Sequence, residues 1–332
     1  MQRTGFKIAI LGAGPAGLTA ARYLASQGHE VHIYDKMPMP GGLMMFAIPE
    51  KRIPKRRIRE QVQELEKLGV VFNLGVKVQE GSREDVFDKL CRTVVSLREI
   101  VQKYDAVLIA TGAWRCRKLG IEGENAQGVY TALPFIISLR LKELGILQDE
   151  PEIGNKVAVI GAGRTAVDVV DELASRGRQV VLIYRRRLAE SRAYKELSEI
   201  LSKYSNVIQI LECYQPVKIC TSRGKVTGIE VAPVRMIQDK MIVDTGNTLV
   251  VECDQVIEAI GEEPTPPVTE DAARVLNIEL RGGKIVVNEQ YQTTNEKIFA
   301  AGDVVLGPSS IGQAVKTGLE AARSIDKYLR RV

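Results

Sequence analysis

The feature that most constrains this chain is an internal repeat. Residues 7–36 align without gaps onto residues 156–185. Each copy has a short β-branched apolar run, a Gly-x-Gly turn, an amphipathic helix pattern ending at a glycine, and a second apolar run. This order is typical of a βαβ unit. The sequence therefore predicts two domains of the same α/β kind in one chain of 332 residues.

The glycines of each turn have separate physical roles. Gly12 permits the tight turn after the strand, Gly14 lets the backbone approach a pyrophosphate, and Gly17 lets the helix pack on the strand. The helix then presents free N–H groups and the positive end of its dipole to phosphates. The corresponding residues of the second copy are Gly161, Gly163 and Ala166. Two such turns, each between a strand and a helix pattern, predict two dinucleotide sites rather than glycine-rich turns of an unrelated α/β fold.

The residue that ends the second strand distinguishes the two ligands. In the first copy it is Asp35, a carboxylate that can accept hydrogen bonds from ribose hydroxyls and suits FAD or NAD. In the second copy it is Tyr184, which Arg185, Arg186 and Arg187 follow. Guanidinium groups favour a 2′-phosphate, so this copy predicts an NADPH site, with a solvated basic loop as the alternative. Arg192 is a further candidate contact.

Composition limits the other classes of function. The net charge of +5, with 5% aromatic residues, fits anionic ligands and an acidic protein partner better than a nucleic acid. The five cysteines form no C-x-x-C and there are two histidines, so neither a thioredoxin-type redox pair nor a metal site is predicted. No apolar run is long enough for a transmembrane helix, and the first strand pattern begins almost at Met1. We therefore expect no signal peptide and a cytoplasmic protein.

The motifs resemble those of the glutamate synthase small (β) subunit and its relatives. The relatives include the large subunit of the electron-bifurcating NADH-dependent ferredoxin:NADP oxidoreductase. The resemblance covers nearly the whole chain, in order. Its motifs are GAGPAG at 12–17, GGLMMFAIP at 41–49 with Ala47 in place of a glycine, ATGA at 110–113, GEN at 123–125, GVY at 128–130, YRR at 184–186, AIG at 259–261 and FAAGD at 299–303.

The resemblance implies an α/β fold with two Rossmann-like dinucleotide-binding domains in a glutathione reductase-like architecture. The FAD domain would be discontinuous, formed by 1–120 and 270–332, with the NAD(P) domain, 121–269, inserted into it. Prolines 264, 266 and 267 break regular structure where the chain would cross back. The relatives also carry an N-terminal domain with two iron–sulfur clusters, for which this sequence has no counterpart.

The resemblance and the glycine turns give the candidate site residues, with FAD and NADP(H) as cofactors. For FAD these are Gly12, Gly14, Pro15, Ala16, Gly17, Asp35, Lys36, Gly41, Gly42, Leu43, Met44, Thr111, Gly112, Gly302, Asp303, Gly312, Gln313 and Ala314. For NADP they are Gly161, Gly163, Arg164, Thr165, Ala166, Arg185, Arg186, Arg192 and Gly261.

Within the FAD set, the family assigns Asp303 to the ribityl chain, with a simple turn cap as the alternative. The segment 308–314 would open a final helix whose N-terminus stabilises charge at the pyrimidine end of reduced flavin. Met44 and Met45 would line the flavin ring or merely fill core gaps.

The predicted function is that of an FAD-dependent NAD(P)H oxidoreductase. Hydride transfer needs two aligned rings rather than an acid–base side chain, so no catalytic residue is assigned. The electron acceptor is left open among three alternatives. In the first, the chain is an electron-entry subunit that docks on an iron–sulfur or amidotransferase-type protein. In the second, it is an autonomous NADPH dehydrogenase that uses ferredoxin, quinone or another diffusible acceptor. In the third, it is a non-catalytic nucleotide-binding subunit.

Two charged segments have no assigned role. For the insertion around 81–93 we expect an extension of a surface helix. The other segment is basic and is interpreted either as a solvated helix face or as a docking face for an acidic electron carrier such as ferredoxin. Its residues are Lys51, Arg52, Lys55, Arg56, Arg57 and Arg59.

Overall fold

The computed structural model describes residues 3–82, 85–149, 151–238 and 240–331. The chain divides into two compact units, Met1–Arg115 with Glu262–Val332, and Cys116–Gly261. The first unit is therefore discontinuous and the second is inserted into it. The boundaries lie a few residues before the predicted ones at 120 and 270.

Five of the described strands of the first unit form a parallel sheet. They are β1 (Lys7–Leu11), β2 (Glu30–Asp35), β3 (Val71–Leu74), β6 (Ala106–Ile109) and β20 (Ile298–Ala300), in the order β20-β6-β1-β2-β3. Two short strands, β4 (Val76–Gln79) and β5 (Thr93–Ser96), pair in parallel beside it, and β18 (Leu280–Arg281) and β19 (Lys284–Ile285) form a hairpin. The helices are α1 (Pro15–Ser26), α2 (Leu43–Phe46), α3 (Lys55–Lys67), α4 (Leu97–Lys103), α8 (Glu270–Val275), α9 (Asp303–Leu306) and α10 (Ile311–Leu329). Two-residue strands, β7 (Arg115–Cys116) and β17 (Glu262–Glu263), lie where the chain leaves and re-enters the unit.

Both faces of the inner strands β1 and β6 are buried, as expected for parallel strands covered by helices. On one face, Ala9 and Leu11 of β1 belong to an apolar cluster with Val107, Ile109 and the α4 residue Leu97. On the other face, α1 and α10 pack closely. A side chain at Gly318 of α10 would overlap the backbone of Ala16, so the small residue sets the distance between the two helices.

Residues 262–269 belong to the first unit because Thr265 is bonded to the loop that follows β6. The Thr265 N–H donates to the carbonyl of Gly112 at 2.9 Å, and the Thr111 hydroxyl donates to the carbonyl of Thr265 at 2.7 Å. The Trp114 N–H donates to the Thr265 hydroxyl at 2.8 Å. Prolines occupy 264, 266 and 267 and have no N–H, so Thr265 supplies the backbone donor of this stretch.

Five described strands also form a parallel sheet in the second unit. They are β8 (Val129–Thr131), β9 (Lys156–Ile160), β10 (Gln179–Tyr184), β11 (Ile208–Glu212) and β16 (Gln255–Glu258), in the order β11-β10-β9-β16-β8. The helices are α5 (Ala132–Glu143), α6 (Arg164–Ser175) and α7 (Tyr194–Lys203). In a second, antiparallel sheet, β13 (Lys225–Ile237) pairs with β12 (Tyr214–Ser222), β14 (Lys240–Val243) and β15 (Leu249–Glu252). Apolar residues of both sheets, among them Ile160, Ile183, Ile229 and Val256, form one core cluster.

The two copies of the sequence repeat have the same strand register. Lys7 pairs with Glu30 in the first unit, and the aligned residues Lys156 and Gln179 pair in the second. The parallel strands also place both glycine turns at the carboxyl edge of their sheets, where α/β folds bind ligands. Among the described residues, no helix is long and apolar enough to cross a membrane.

Candidate functional site

A cavity of about 140 Å³ opens in the first unit. Its walls come from the loops that follow β1, β2, β6 and β20, together with the segment 42–48 and the start of α10. The predicted FAD contacts that line it are Gly12, Gly14, Pro15, Ala16, Asp35, Gly42, Leu43, Met44, Thr111, Gly112, Gly302, Asp303 and Ala314. The carboxyl ends of four strands thus bring together residues that are up to about 300 positions apart in the sequence.

The glycine turn after β1 leaves a helix end open to this cavity. Gly12 has a φ of 110°, and a Cβ there would overlap the carbonyl oxygen of Ala110. Gly14 precedes α1, and no atom lies within 4 Å of the position that its Cβ would take. No side chain caps α1, so its first N–H groups remain available to an anion. Gly17 does not line the cavity, because it packs against the carbonyl of Gly12.

Asp35 lines the cavity with a carboxylate that the backbone holds in place. One oxygen accepts the N–H of Ala13 at 2.6 Å and the other accepts the N–H of Met37 at 2.8 Å. Burial raises the pKa of Asp35, and these two hydrogen bonds oppose the rise. A carboxylate has about four acceptor positions, so the two backbone contacts leave room for ribose hydroxyls.

The segment beside α2 is fixed by a buried lysine. Lys55 is 7% exposed, and its ammonium group donates to the carbonyl oxygens of Met44 and Ile48, both of which line the cavity. The interpretation of Lys55 as part of a solvated or docking face is therefore wrong. The other basic residues of that segment, Lys51, Arg52, Arg56, Arg57 and Arg59, are exposed.

The start of α10 contributes the most C-terminal part of the cavity wall. Ser310 caps the helix by accepting the N–H of Gln313 at 3.2 Å, and Ser309 donates to Asp303 at 2.5 Å. Burial raises the pKa of Asp303, while the Ser309 hydroxyl opposes the rise. Ser309, Ser310 and Ile311 line the cavity, whereas the predicted contacts Gly312 and Gln313 do not.

Two other predicted contacts are also missing from the cavity wall. Gly41 is required for packing, because a Cβ there would fall 2.9 Å from the Cβ of Met45. Lys36 forms an ion pair with Asp85, with 2.5 Å between the ammonium nitrogen and a carboxylate oxygen. The wall instead includes Trp114, which the sequence analysis missed although it directly follows the ATGA motif.

The described part of the insertion around 81–93 is not an extension of a surface helix, so that expectation is wrong. Arg83 and Glu84 lie outside the described residues. Its helical part is a 3₁₀ turn over Asp88–Leu90, and β5 begins at Thr93. Phe87 is 3% exposed and therefore belongs to the core of the first unit. Periodicity could not show this, because a single buried aromatic residue in a short turn has no repeat to detect.

The second unit repeats the open helix end. Gly161 has a φ of 113°, and a Cβ there would overlap the carbonyl oxygen of Ala259. Gly163 precedes α6, which has no side-chain cap, and no atom lies within 4 Å of its Cβ position. Ala166 is fully buried and takes the packing role of the third glycine. Arg164 is exposed and Thr165 half-buried in the first turn of α6, and Gly261 has a φ of 109° with open space around it.

The predicted phosphate-binding arginines follow β10. Arg185, Arg186 and Arg192 are exposed, and in the described part of the chain no acidic side chain pairs with them. Buried Ser191 donates to the carbonyl of Ala162 at 2.5 Å, which ties this loop to the glycine turn. The geometry therefore holds unneutralised guanidinium groups near the open helix end.

A buried carboxyl group lies at the end of β16, next to the segment 259–261. Glu258 is 1% exposed, and its Oε1 accepts the N–H of Leu119 at 3.4 Å. Its Oε2 has no hydrogen-bond partner among the described residues. Burial raises the pKa of Glu258 to about 7, with Glu124 adding to the rise and the Leu119 N–H and Lys118 opposing it. Glu258 was not predicted from the sequence, since an acid in an apolar strand carries no motif.

The chain is similar to several known proteins. A family model described as pyridine nucleotide-disulphide oxidoreductase matches residues 6–318. The beta subunit of the NADP(+)-dependent formate dehydrogenase of Moorella thermoacetica is 30% identical over 337 residues, covering 99% of this chain and 44% of that protein. The glutamate synthase [NADPH] small chain of Escherichia coli (strain K12) is 31% identical over 347 residues, covering 99% of this chain and 70% of that protein.

The chain belongs to the pyridine nucleotide-disulphide oxidoreductase family, with the glutamate synthase small chains among its relatives. The prediction of an oxidoreductase with FAD and NADP(H) as cofactors is thereby confirmed. FprA, an oxidoreductase of Mycobacterium tuberculosis, superposes with a TM-score of 0.75 at 21% identity, covering 98% of this chain and 85% of that one. This likeness confirms the predicted fold of two Rossmann-like domains in a glutathione reductase-like architecture.

Glu258 generates a test of stability against pH in this oxidoreductase. Its folded pKa of about 7 exceeds the ordinary 4.5, so the folded state loses stability as pH rises from about 4.5 to 7. Glu258→Gln should remove that loss. Relative to wild type, we expect the variant to gain about 1–3 kcal/mol between pH 5 and pH 8, at about 1.36 kcal/mol per pKa unit. Urea unfolding followed by circular dichroism at the two pH values measures this.

Glu252→Gln, at an exposed position of β15, is the matched control and should show no such gain. A Glu258→Gln variant whose stability tracks wild type at both pH values would contradict the assignment of a buried, raised carboxyl.

Proposed function

We propose that the first unit binds FAD in its cavity, that the second unit binds NADPH at its glycine turn, and that the chain passes the electrons on to a separate protein. The observation that carries the proposal is the pair of open helix ends. Gly14 and Gly163 each precede a helix without a side-chain cap, and each leaves space where a side chain would stand. Two such anion sites in one chain suit two pyrophosphates.

The residues of the first unit fit FAD. The cavity combines an open helix end for the pyrophosphate, a fixed carboxylate at Asp35 for ribose hydroxyls, and a second acid at Asp303. Apolar residues such as Met44 and Ile48 complete the wall, and the two carbonyls that Lys55 holds fix their backbone. A cavity with mainly apolar walls and a few placed polar groups is typical of cofactor sites.

The residues of the second unit fit NADPH. Arg185 and Arg186 directly follow Tyr184, the end of β10, where an acid would select a free 2′-hydroxyl. Their charges are unpaired in the described part of the chain, so a 2′-phosphate would gain charge-assisted hydrogen bonds without breaking existing ion pairs.

The chain's own contribution to the reaction is to bind, orient and shield. Bound FAD supplies a ring that can take up a hydride from the nicotinamide. The glycine turns fix the two pyrophosphates, and the Lys55 contacts hold the segment 44–48 in place. Positioning of this kind can supply a large part of the rate enhancement of a transfer reaction.

A protein acceptor is supported by the relatives. The Moorella thermoacetica relative is named as a beta subunit and the Escherichia coli relative as a small chain, so both are parts of larger assemblies. This chain spans between 44% and 70% of their lengths. No two of the five cysteines form a C-x-x-C in the sequence, so a dithiol acceptor of the thioredoxin type is not predicted for this chain.

The two open glycines provide a test of site assignment. Gly14→Val and Gly163→Val should both fold, since each residue has an ordinary φ and no atom lies within 4 Å of the position that its Cβ would take. Gly14→Val should lower FAD affinity at least about 100-fold, because two charge-assisted hydrogen bonds are worth about 1.5–3 kcal/mol each. Gly163→Val should purify with FAD but lose reduction by NADPH. Flavin absorbance after anaerobic mixing reports both, and a Gly14→Val protein that purifies yellow would refute the FAD site.

The arginines after β10 provide a test of nucleotide choice. Arg185→Ala with Arg186→Ala should lower kcat/KM for NADPH about 100-fold and change that for NADH less than about threefold, because the lost hydrogen bonds go to the 2′-phosphate. Arg178→Ala, at the opposite end of β10, is the control for losing a guanidinium elsewhere on this strand and should alter neither. Equal losses of kcat/KM for NADPH and NADH in the double variant would contradict the 2′-phosphate assignment.

The exposed arginines of α3 provide a test of the protein acceptor. Reversing Arg56, Arg57 and Arg59 to Glu should slow electron transfer to an acidic ferredoxin about tenfold at low salt, and should leave NADPH–ferricyanide turnover unchanged. Arg281→Glu, at another exposed position of the first unit, is the control. The docking role of α3 is wrong if the variant and wild type show the same rate with ferredoxin across salt concentrations.

A further inference from the structure

The single tryptophan of the chain lies in the wall of the cavity. Trp114 follows the loop after β6, and its backbone N–H donates to the Thr265 hydroxyl at 2.8 Å. A Cβ on Gly112 would stand 3.4 Å from its indole Nε1, so the loop leaves little spare space beside the ring. Backbone and loop together hold the indole in one place.

Two other side chains brace the indole. The ammonium nitrogen of Lys36 lies 4.6 Å from the centre of the ring, within the range of a cation–π interaction. The ring of Phe87 meets it edge to face, with 6.3 Å between the centroids and 77° between the planes. Phe87 is 3% exposed, so the contact is made inside the protein.

The braces are themselves fixed by Asp85, within the insertion that had no assigned role. Asp85 contacts the Lys36 ammonium at 2.5 Å and accepts the N–H of Phe87 at 2.9 Å. Burial raises the pKa of Asp85, but the charge and hydrogen bond of Lys36, the Phe87 N–H and the charge of Lys77 together outweigh burial and lower the pKa. Asp85 therefore links both residues that touch the indole.

The position of Lys36 shows which end of the cavity the indole occupies. Lys36 directly follows Asp35 at the carboxyl end of β2, and an acid at that point of a βαβ unit meets the ribose of the adenosine. Trp114 is therefore at the adenosine end of the cavity.

We propose that Trp114 forms a wall of the adenine subsite and determines the affinity for the adenosine half of FAD, with Lys36, Asp85 and Phe87 as positioning residues. The inference rests on the proposed FAD site of the first unit. It gives the insertion around 81–93 a role, since this segment supplies Asp85 and Phe87, two of the three positioning residues. An indole offers adenine a large apolar face, and aromatic contacts of this kind are worth about tenfold or more in binding.

The test compares two variants at the same position. Trp114→Leu should weaken FAD binding to the apoprotein about tenfold, whereas Trp114→Phe, which keeps an aromatic ring, should stay within about threefold. Asp85→Asn should give an intermediate loss of FAD affinity. Tyr194→Leu, an exposed aromatic residue of the second unit, is the control and should bind FAD as wild type does.

A second probe isolates the adenosine half. ADP carries the adenosine and pyrophosphate but no flavin, so its inhibition constant against FAD rebinding should rise by the same factor in Trp114→Leu. ADP should also change the Trp114 emission of the wild-type apoprotein, and this change should be absent in Gly14→Val, in which only the first unit is blocked. The emission is specific because no other tryptophan is present.

The outcomes separate this inference from the proposed function. Wild-type protein that does not bind FAD would refute the FAD site itself. Normal FAD binding with equal affinities for wild type, Trp114→Leu and Trp114→Phe would overturn the adenine wall alone. A loss of FAD affinity without a matching loss for ADP would overturn it too, because the indole would then act on the flavin half.

Discussion

The architecture depends on one close approach of backbone, made twice. At Gly12 and at Gly161 the first strand of a βαβ unit turns directly against the carbonyl of Ala110 or Ala259, at the end of a neighbouring strand. A side chain at either glycine would overlap that carbonyl, and both have a φ near 110° that other residues rarely adopt. Because the turn is so tight, the next helix starts at the sheet edge with its N–H groups unsatisfied. The two open helix ends are thus a consequence of how strand, turn and helix join.

The repeat in the sequence predicted this framework because glycine spacing and strand patterns are local. The shared register of Lys7 with Glu30 and of Lys156 with Gln179 follows directly from the ungapped alignment. Side chains whose role depends on distant partners were not predictable in the same way. Lys55 belongs by sequence to a basic run, yet the carbonyls of Met44 and Ile48 make its burial favourable. Periodicity cannot reveal such compensation, because it depends on how another segment folds.

The two lysines beside the cavity illustrate what those distant partners achieve. Lys55 is satisfied by carbonyl oxygens and Lys36 by the carboxylate of Asp85, so neither ammonium is left buried and unpaired. Each fixes a segment that contributes to the wall, residues 44–48 in one case and Trp114 in the other. Binding sites need such support, since a wall free to move would have to be ordered at the expense of ligand affinity.

The two nucleotide sites differ in how they present charge, and this difference matches their proposed tasks. The first unit offers a buried carboxylate that two backbone N–H groups hold in a cavity with a braced aromatic wall, which suits a cofactor that stays bound. The second unit offers exposed arginines on a loop beside an open helix end, which suits a charged substrate that must enter and leave in every cycle. The same βαβ unit can serve both proposed purposes because the glycine turn is common to both, while the two units differ in the residues at and after the end of the second strand.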